Sequence, residues 1–122
     1  MDMGKRLAVG LGLQLDLINV QRAVSSDVAS FVSRDDLQDY HRERADKALG
    51  PARALLDQAG IRYGVHQFVG QPGKVIAEFA AEQKADQIVM GTRGLGTHTG
   101  ALLGSVTQDT IVNAMVPVLV VK

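Results

Sequence analysis

Asp86-Gln87-Ile88-Val89-Met90-Gly91-Thr92-Arg93-Gly94 and, ten residues on, Gly104-Ser105-Val106-Thr107-Gln108 frame the stretch that decides the fold. The first part is a short apolar run of strand length. Glycines at 91, 94, 96, 100 and 104 then break any regular periodicity, and from Ser105 to about Met115 the pattern becomes helical. Val118–Val121, apolar at every position, closes the chain as a last strand. A strand, a glycine-rich loop, a helix and a further strand make a crossover unit, which implies parallel strands covered by helices.

Working towards the amino terminus, Val75, Ile76, Phe79 and Ala80 form a helical stripe after the punctuation of Pro72-Gly73. Ile61–Val69 alternates as a strand does. A long helix is predicted from a cap at Asp35 or Asp36 to about Ala59, with Leu37, Tyr40, Ala45, Ala48, Leu49, Ala52, Leu55 and Leu56 at three- and four-residue steps. Pro51 should kink or split it near Gly50, and Gly60 is the stop. Arg22–Asp36 reads as a polar connection with room for one helical turn. Residues 14–21 read as a strand with Leu13, Leu15 and Leu17 on one face and Ile18 and Val20 on the other. Arg6–Gly12 has the look of a helix tail stopped by glycine.

Composition narrows the class. The 122 residues make one domain, 1–122, of which 46% is apolar and 21% charged, a balance that excludes disorder and fibrous repeats. Thirteen basic and thirteen acidic side chains cancel, so no electrostatic footprint for nucleic acid or an anionic membrane is expected. No apolar run reaches the roughly 18–20 residues that span a bilayer. The start carries no secretory pattern, and the chain has no cysteine, which excludes disulfides, thiolate nucleophiles and Cys-based zinc sites. The expectation is a soluble, cytoplasmic protein.

The glycine-rich loop is the candidate site. It leaves the carboxyl end of a strand, the edge at which open α/β sheets bind ligands. Ser105 and Gln108 have capping-box spacing, predicting a helix from Val106 whose first N–H groups form an anion site. Gly91, Gly94 and Gly104 let backbone approach a phosphate, Thr92, Ser105 and Thr107 add hydroxyls, and Arg93 and His98 lie within reach in sequence. The same glycines also serve a plain tight turn. Two look-alikes fail: a Walker loop needs a lysine before Ser105, and Gly94-x-Gly96-x-x-x-Gly100 misses the dinucleotide spacing.

Gly91-x-x-Gly94, nine residues, then Gly104-Ser105 resembles the nucleotide signature of the universal stress protein family. The run from Ile88 to Val121 is similar to that family's ending. Leu7–Val20 is similar to the end of its first helix and its second strand, and Gly70-x-Pro72 with the helix after it also matches. The resemblance implies an N-terminally shortened Rossmann-like open parallel sheet with helices on both faces, of the adenine nucleotide alpha hydrolase type. It implies that Met90, Gly91, Gly94, Gly104, Ser105, Val106 and Thr107 hold ATP, or ADP or AMP, with magnesium carried by the phosphates. It further implies a homodimer through strand 117–121, and a regulatory stress-response role with at most slow ATP hydrolysis.

Family members begin with a strand whose Asp contacts the adenine end, and that strand lies mid-sheet. Only six residues precede Leu7, so the strand, its Asp and most of the first helix have no counterpart in this reading. The gap must be met by a partner's segment, a rearranged strand order or direct pairing of the neighbours. A nucleotide-free dimerisation or protein-interaction module that keeps the loop as architecture is the alternative function.

Elsewhere the signals are structural. His41, His66 and His98 lack metal-ligand spacing, and His66 reads as a surface or edge residue. Asp35-Asp36 reads as a helix start and Asp86 as a turn residue. Glu43 and Lys47 are spaced for a helical ion pair.

Overall fold

The computed structural model describes residues 14–91 and 103–122. β1 (Leu15–Gln21) and β2 (Tyr63–Val69) pair in parallel, Leu17 opposite Val65 and Ile18 opposite His66. β3 (Ile88–Gly91) and β4 (Val118–Val121) form a second parallel pair, Val89 opposite Leu119. Four helices connect them: α1 (Ser26–Ala29), α2 (Arg34–Gln58), α3 (Pro72–Glu82) and α4 (Ser105–Asn113). The expected α/β class, with parallel strands and helices, is present. Among the described residues the strands form two two-stranded sheets, so β1 and β3 do not pair directly.

The helices sit on opposite faces. Leu17 of β1 packs with Leu49 and Leu56 of α2, and Leu15, Tyr63 and Val65 join that cluster. On the other face His66 and Phe68 of β2 meet Phe79 of α3, with ring centroids 4.5 and 5.6 Å apart. α3 lies against β1 and, more extensively, against α4.

This arrangement fixes the strand order. Parallel crossovers are right-handed, so the face that carries the helix decides the direction in which the next strand is laid down. α2 covers one face and sends the chain from β1 outward to β2. α3 covers the other face, so the next strand is laid back on the β1 side. α4 packs beside α3 and continues that direction to β4. The order is therefore β2-β1, then β3-β4, and the direction of winding reverses between β1 and β3.

Local chemistry explains the ends of α2 and one departure from expectation. Its cap is Ser33, whose Oγ accepts the Asp36 N–H at 3.0 Å; Asp35 and Asp36 lie in the first turn. The cap is thus two or three residues earlier than expected, because a hydroxyl at this spacing reaches the third helical N–H. Pro51 does not split the helix, which runs through it as one element. Pro51 and Lys47, the residue whose carbonyl loses its partner, are both exposed, so water can serve that carbonyl. The ion pair on α2 is Asp39–Arg42 at 3.7 Å, and Glu43–Lys47 forms none. Gly60 takes φ +69° and sends its N–H to the Asp57 carbonyl, while Ile61 N–H reaches Leu56. That left-handed closure is the reason for glycine there.

α3 ends in the same way, but with Lys84 at φ +53°. Its N–H goes to Ala81 and that of Ala85 to Ala80. A Cβ in the left-handed region is strained, so Lys84→Gly is expected to raise stability by about 0.5–1 kcal/mol in a thermal or urea unfolding series. A loss of stability would count against this helix end.

Candidate functional site

The carboxyl end of β3 and the start of α4 meet at the point where the winding reverses. At such a reversal the connections leave the neighbouring strands in opposite directions and open a crevice, the usual ligand position in α/β sheets. Met90 is half-buried in β3, and Gly91 is exposed at its end. Gly104 is buried at the start of α4, Ser105 is exposed, Val106 half-buried and Thr107 buried. Gly94, Thr92, Arg93 and His98 lie outside the described residues.

Gly104, not Ser105, is the N-cap, with φ −70° and ψ 162°. Ser105 is the first helical residue, and among the described residues no side chain caps the helix. Gln108 Nε2 donates to the Leu103 carbonyl at 2.9 Å instead of closing a box on Ser105. The first intrahelical bond is made by Gln108 N–H to the Gly104 carbonyl. Ser105, Val106 and Thr107 therefore present the three N–H groups that no helical carbonyl can accept, at the positive end of the helix dipole.

Thr107 has a second task. Its Oγ1 donates to the Gly91 carbonyl at 2.8 Å, fastening the first turn of α4 to the end of β3. The hydroxyl proton is engaged there, so the donor that Thr107 offers a ligand is its backbone N–H. Thr110, fully buried, turns its hydroxyl back to the Val106 carbonyl at 2.7 Å. α4 is further held against α3 at Gly73, where the helices approach with no side chain between them: a Cβ on Gly73 would lie 2.8 Å from the Thr110 backbone nitrogen.

One polar pair escaped the sequence reading. His66 Nε2 and Asp16 Oδ1 are 3.0 Å apart, with side chains 31% and 29% exposed, and the His66 ring lies 4.5 Å from that of Phe79. His66 is a half-buried partner and not a free surface residue. An Asp within an otherwise apolar strand and the Gly64-x-His66 spacing were the available signals. Gly64 makes room for the pair, since a Cβ there would stand 2.6 Å from Asp16 Oδ1 and 3.0 Å from His66 Nε2. Gly64→Ala is expected to separate the pair and cost about 1 kcal/mol. Imidazole nitrogen resonances of His66 and a melting curve would show it; an unchanged imidazole spectrum would contradict the assignment.

Other features are not ligand sites in themselves. A cavity of about 230 Å³ lies between α2 and the end of β2, bordered by Gln38, His41, Gln67 and Phe68. No group of three His, Asp or Glu among the described residues could hold a metal. No described helix is long and apolar enough to cross a membrane.

Comparison with known proteins places this geometry. A family model described as the universal stress protein family matches residues 1–122. Universal stress protein MJ0531 of Methanocaldococcus jannaschii is 37% identical over 102 residues, which is 79% of this chain and 60% of that protein. A universal stress protein of Thermus aquaticus is 42% identical over 81 residues, covering 66% of this chain and 57% of the relative. The chain thus spans about three fifths of the length of these two relatives. Among solved structures, that of hypothetical protein MJ0577 of M. jannaschii, the subject of a structure-based assignment of biochemical function, superposes with a TM-score of 0.73 at 29% identity. That match covers 89% of this chain and 75% of the other. A universal stress family protein from Burkholderia pseudomallei gives 0.69 at 23% identity, covering 98% and 82%, and shows the shared fold.

Proposed function

This chain belongs to the universal stress protein family, and from that premise we propose that it is a cytoplasmic stress-response module that binds an adenine nucleotide, ATP before ADP or AMP. The observation that carries the reading is the start of α4. The N–H groups of Ser105, Val106 and Thr107 have no helical partners, among the described residues no side chain caps them, and they lie beside the end of β3 at the winding reversal. A phosphate fits the chemistry of that donor set. Gly91 and Gly104 flank it without side chains, and Met90 is assigned to the ribose or base by resemblance. Gly94 joins them on resemblance alone.

The proposed action is binding. The nucleotide would bridge the end of β3 and the start of α4, with magnesium held through the phosphates. The affinity is read out through partner contacts, foremost a homodimer through strand 117–121. Val112 and Met115, 82% and 86% exposed, give that end of the molecule an apolar surface.

The second reading is a nucleotide-free interaction module; among the described residues β1 pairs only with β2 and β3 only with β4. Thermal unfolding with Mg-ATP, against Mg-GTP, separates the two. A ligand at 100 times its dissociation constant stabilises by about 2.7 kcal/mol, several degrees for a domain of this size. A shift with ATP alone supports nucleotide binding; no shift at millimolar ATP supports the interaction module.

A further inference from the structure

The amino-terminal half of α2 overhangs the carboxyl end of β2 without closing on it. Further along, Leu49 and Leu56 seat the helix on Leu17; ahead of Leu49, Ala45 is the one buried residue. Between this part of the helix and β2 lies the cavity of about 230 Å³. Gln38, His41, Arg42 and Ala45 recur at three- and four-residue steps, so they share the helix face that borders it. The opposite wall is the last three residues of β2, Gln67 to Val69. Ala45, 2% exposed, is the most enclosed of the lining residues, and its small side chain leaves the space open.

One atom in this lining has no account in the fold. His41 Nδ1 is shut off from solvent without a hydrogen-bond partner, and among the described residues it is the one buried side-chain nitrogen or oxygen in that state. Buried polar atoms are nearly always paired, and leaving one unpaired costs stability. The polar groups around it have capacity to spare. Gln67 donates its amide N–H to Asp46 at 2.6 Å, which leaves its Oε1 to accept. Arg42 stands 3.7 Å from Asp39, with side chains 64% and 62% exposed. A surface pair of that kind contributes little, so a better-placed anion can displace Asp39.

We infer that this cavity binds a single-ring hydroxylated carboxylate, at a site separate from the one proposed for the nucleotide. Size sets the ring count. A cavity of about 150 Å³ takes up benzene, so 230 Å³ suits one ring with small substituents. It falls below the roughly 300 Å³ at which sites for larger ligands begin. The carboxylate pairs with the fork of Arg42 at the rim, and the ring lies against Phe68 and Ala45. The ring hydroxyl meets His41 Nδ1. Because a hydroxyl both donates and accepts, it serves that nitrogen in either tautomer. When Nδ1 carries the proton, Oε1 of Gln38 or Gln67 accepts the hydroxyl hydrogen instead.

The test titrates the ¹⁵N-labelled 122-residue chain with 4-hydroxybenzoate. A ligand of about ten heavy atoms in so small a site should bind with a dissociation constant on the order of 1 mM. The His41 imidazole resonances and the amides of Ala45 and Gln67 should move saturably, while those of Ser105, Val106 and Thr107 stay in place. 4-Hydroxybenzyl alcohol, which keeps the ring and the phenol but not the charge, should bind about ten-fold more weakly, and benzoate, which lacks the hydroxyl, should also bind more weakly. Arg42→Gln, an exposed change checked for fold by circular dichroism, should weaken 4-hydroxybenzoate by a similar factor to the loss of charge. The inference is overturned if about 10 mM 4-hydroxybenzoate leaves His41 unshifted, if the alcohol binds as well, or if the folded Arg42→Gln chain keeps the parent affinity.

Discussion

Gly73→Ala is expected to destabilise the chain by about 3 kcal/mol and lower its melting temperature by roughly 10 °C. Helix propensity alone predicts the opposite sign, because alanine is better than glycine in a helix by about 1 kcal/mol. The contact decides. Gly73 is buried in the first turn of α3, and an added Cβ would overlap the Asp109 Cβ and come within 2.8 Å of both the Asp109 carbonyl carbon and the Thr110 nitrogen. Two of these are backbone atoms of α4, which cannot rotate aside as the end of a side chain can. The helices must separate, and Thr110, fully buried in that region, loses its packing. The start of α4 would shift with them, so ligand affinity at Ser105–Thr107 should fall as well. Urea unfolding with an unchanged slope measures the first effect. A variant as stable as the parent would contradict the close approach of α3 and α4.

The second large effect concerns the binding site directly. Gly104→Asp is expected to weaken Mg-ATP binding by about 100-fold, equivalent to roughly 2.7 kcal/mol. The backbone of Gly104 has φ −70° and ψ 162°, which any residue adopts. Aspartate at an N-cap accepts from the second or third helical N–H, and its charge suits the positive helix end. Here those donors belong to Val106 and Thr107, the same groups assigned to the phosphate. The carboxylate therefore fills the anion position and repels what remains of the ligand charge. Because Gly104 is buried, Gly104→Ala is the steric control. It adds the same Cβ without the acceptor, and its affinity should fall much less. Equal affinity of the Asp variant and the parent, with the fold intact by circular dichroism, would remove the phosphate from α4.

The strands and helices were legible because their signals are local. Apolar runs placed β1, β2, β3 and β4 within about two residues, and the Val75–Ala80 stripe placed α3, although Pro72 proved to be its first residue and not a break before it. Capping was less legible. At Ser33 a hydroxyl three residues before Asp36 was passed over in favour of the acids. At Ser105 the box spacing was correct, but the extended residue was Gly104, so Gln108 found another acceptor. Pro51 broke a rule without breaking the helix, because solvent on that face can serve the freed carbonyl.

Longer-range features were not written in any window. Asp16 and His66 are 50 residues apart and meet only through the register of β1 and β2. The close approach at Gly73 depends on how α3 and α4 cross. The family resemblance suggested a further strand between β1 and β3, with direct pairing of those two as one alternative. Among the described residues β1 and β3 do not pair with one another.

The proposed function rests on three backbone N–H groups, and they can be observed one by one. Amide resonances of Ser105, Val106 and Thr107 in the ¹⁵N-labelled protein should move progressively and saturably as Mg-ATP is added, while those of Leu17 and Leu56 in the α2-facing core stay in place. Mg-GTP at the same concentration should leave the three amides unshifted. If millimolar Mg-ATP leaves all three where they were, the start of α4 is not a phosphate site and the nucleotide-binding account is wrong.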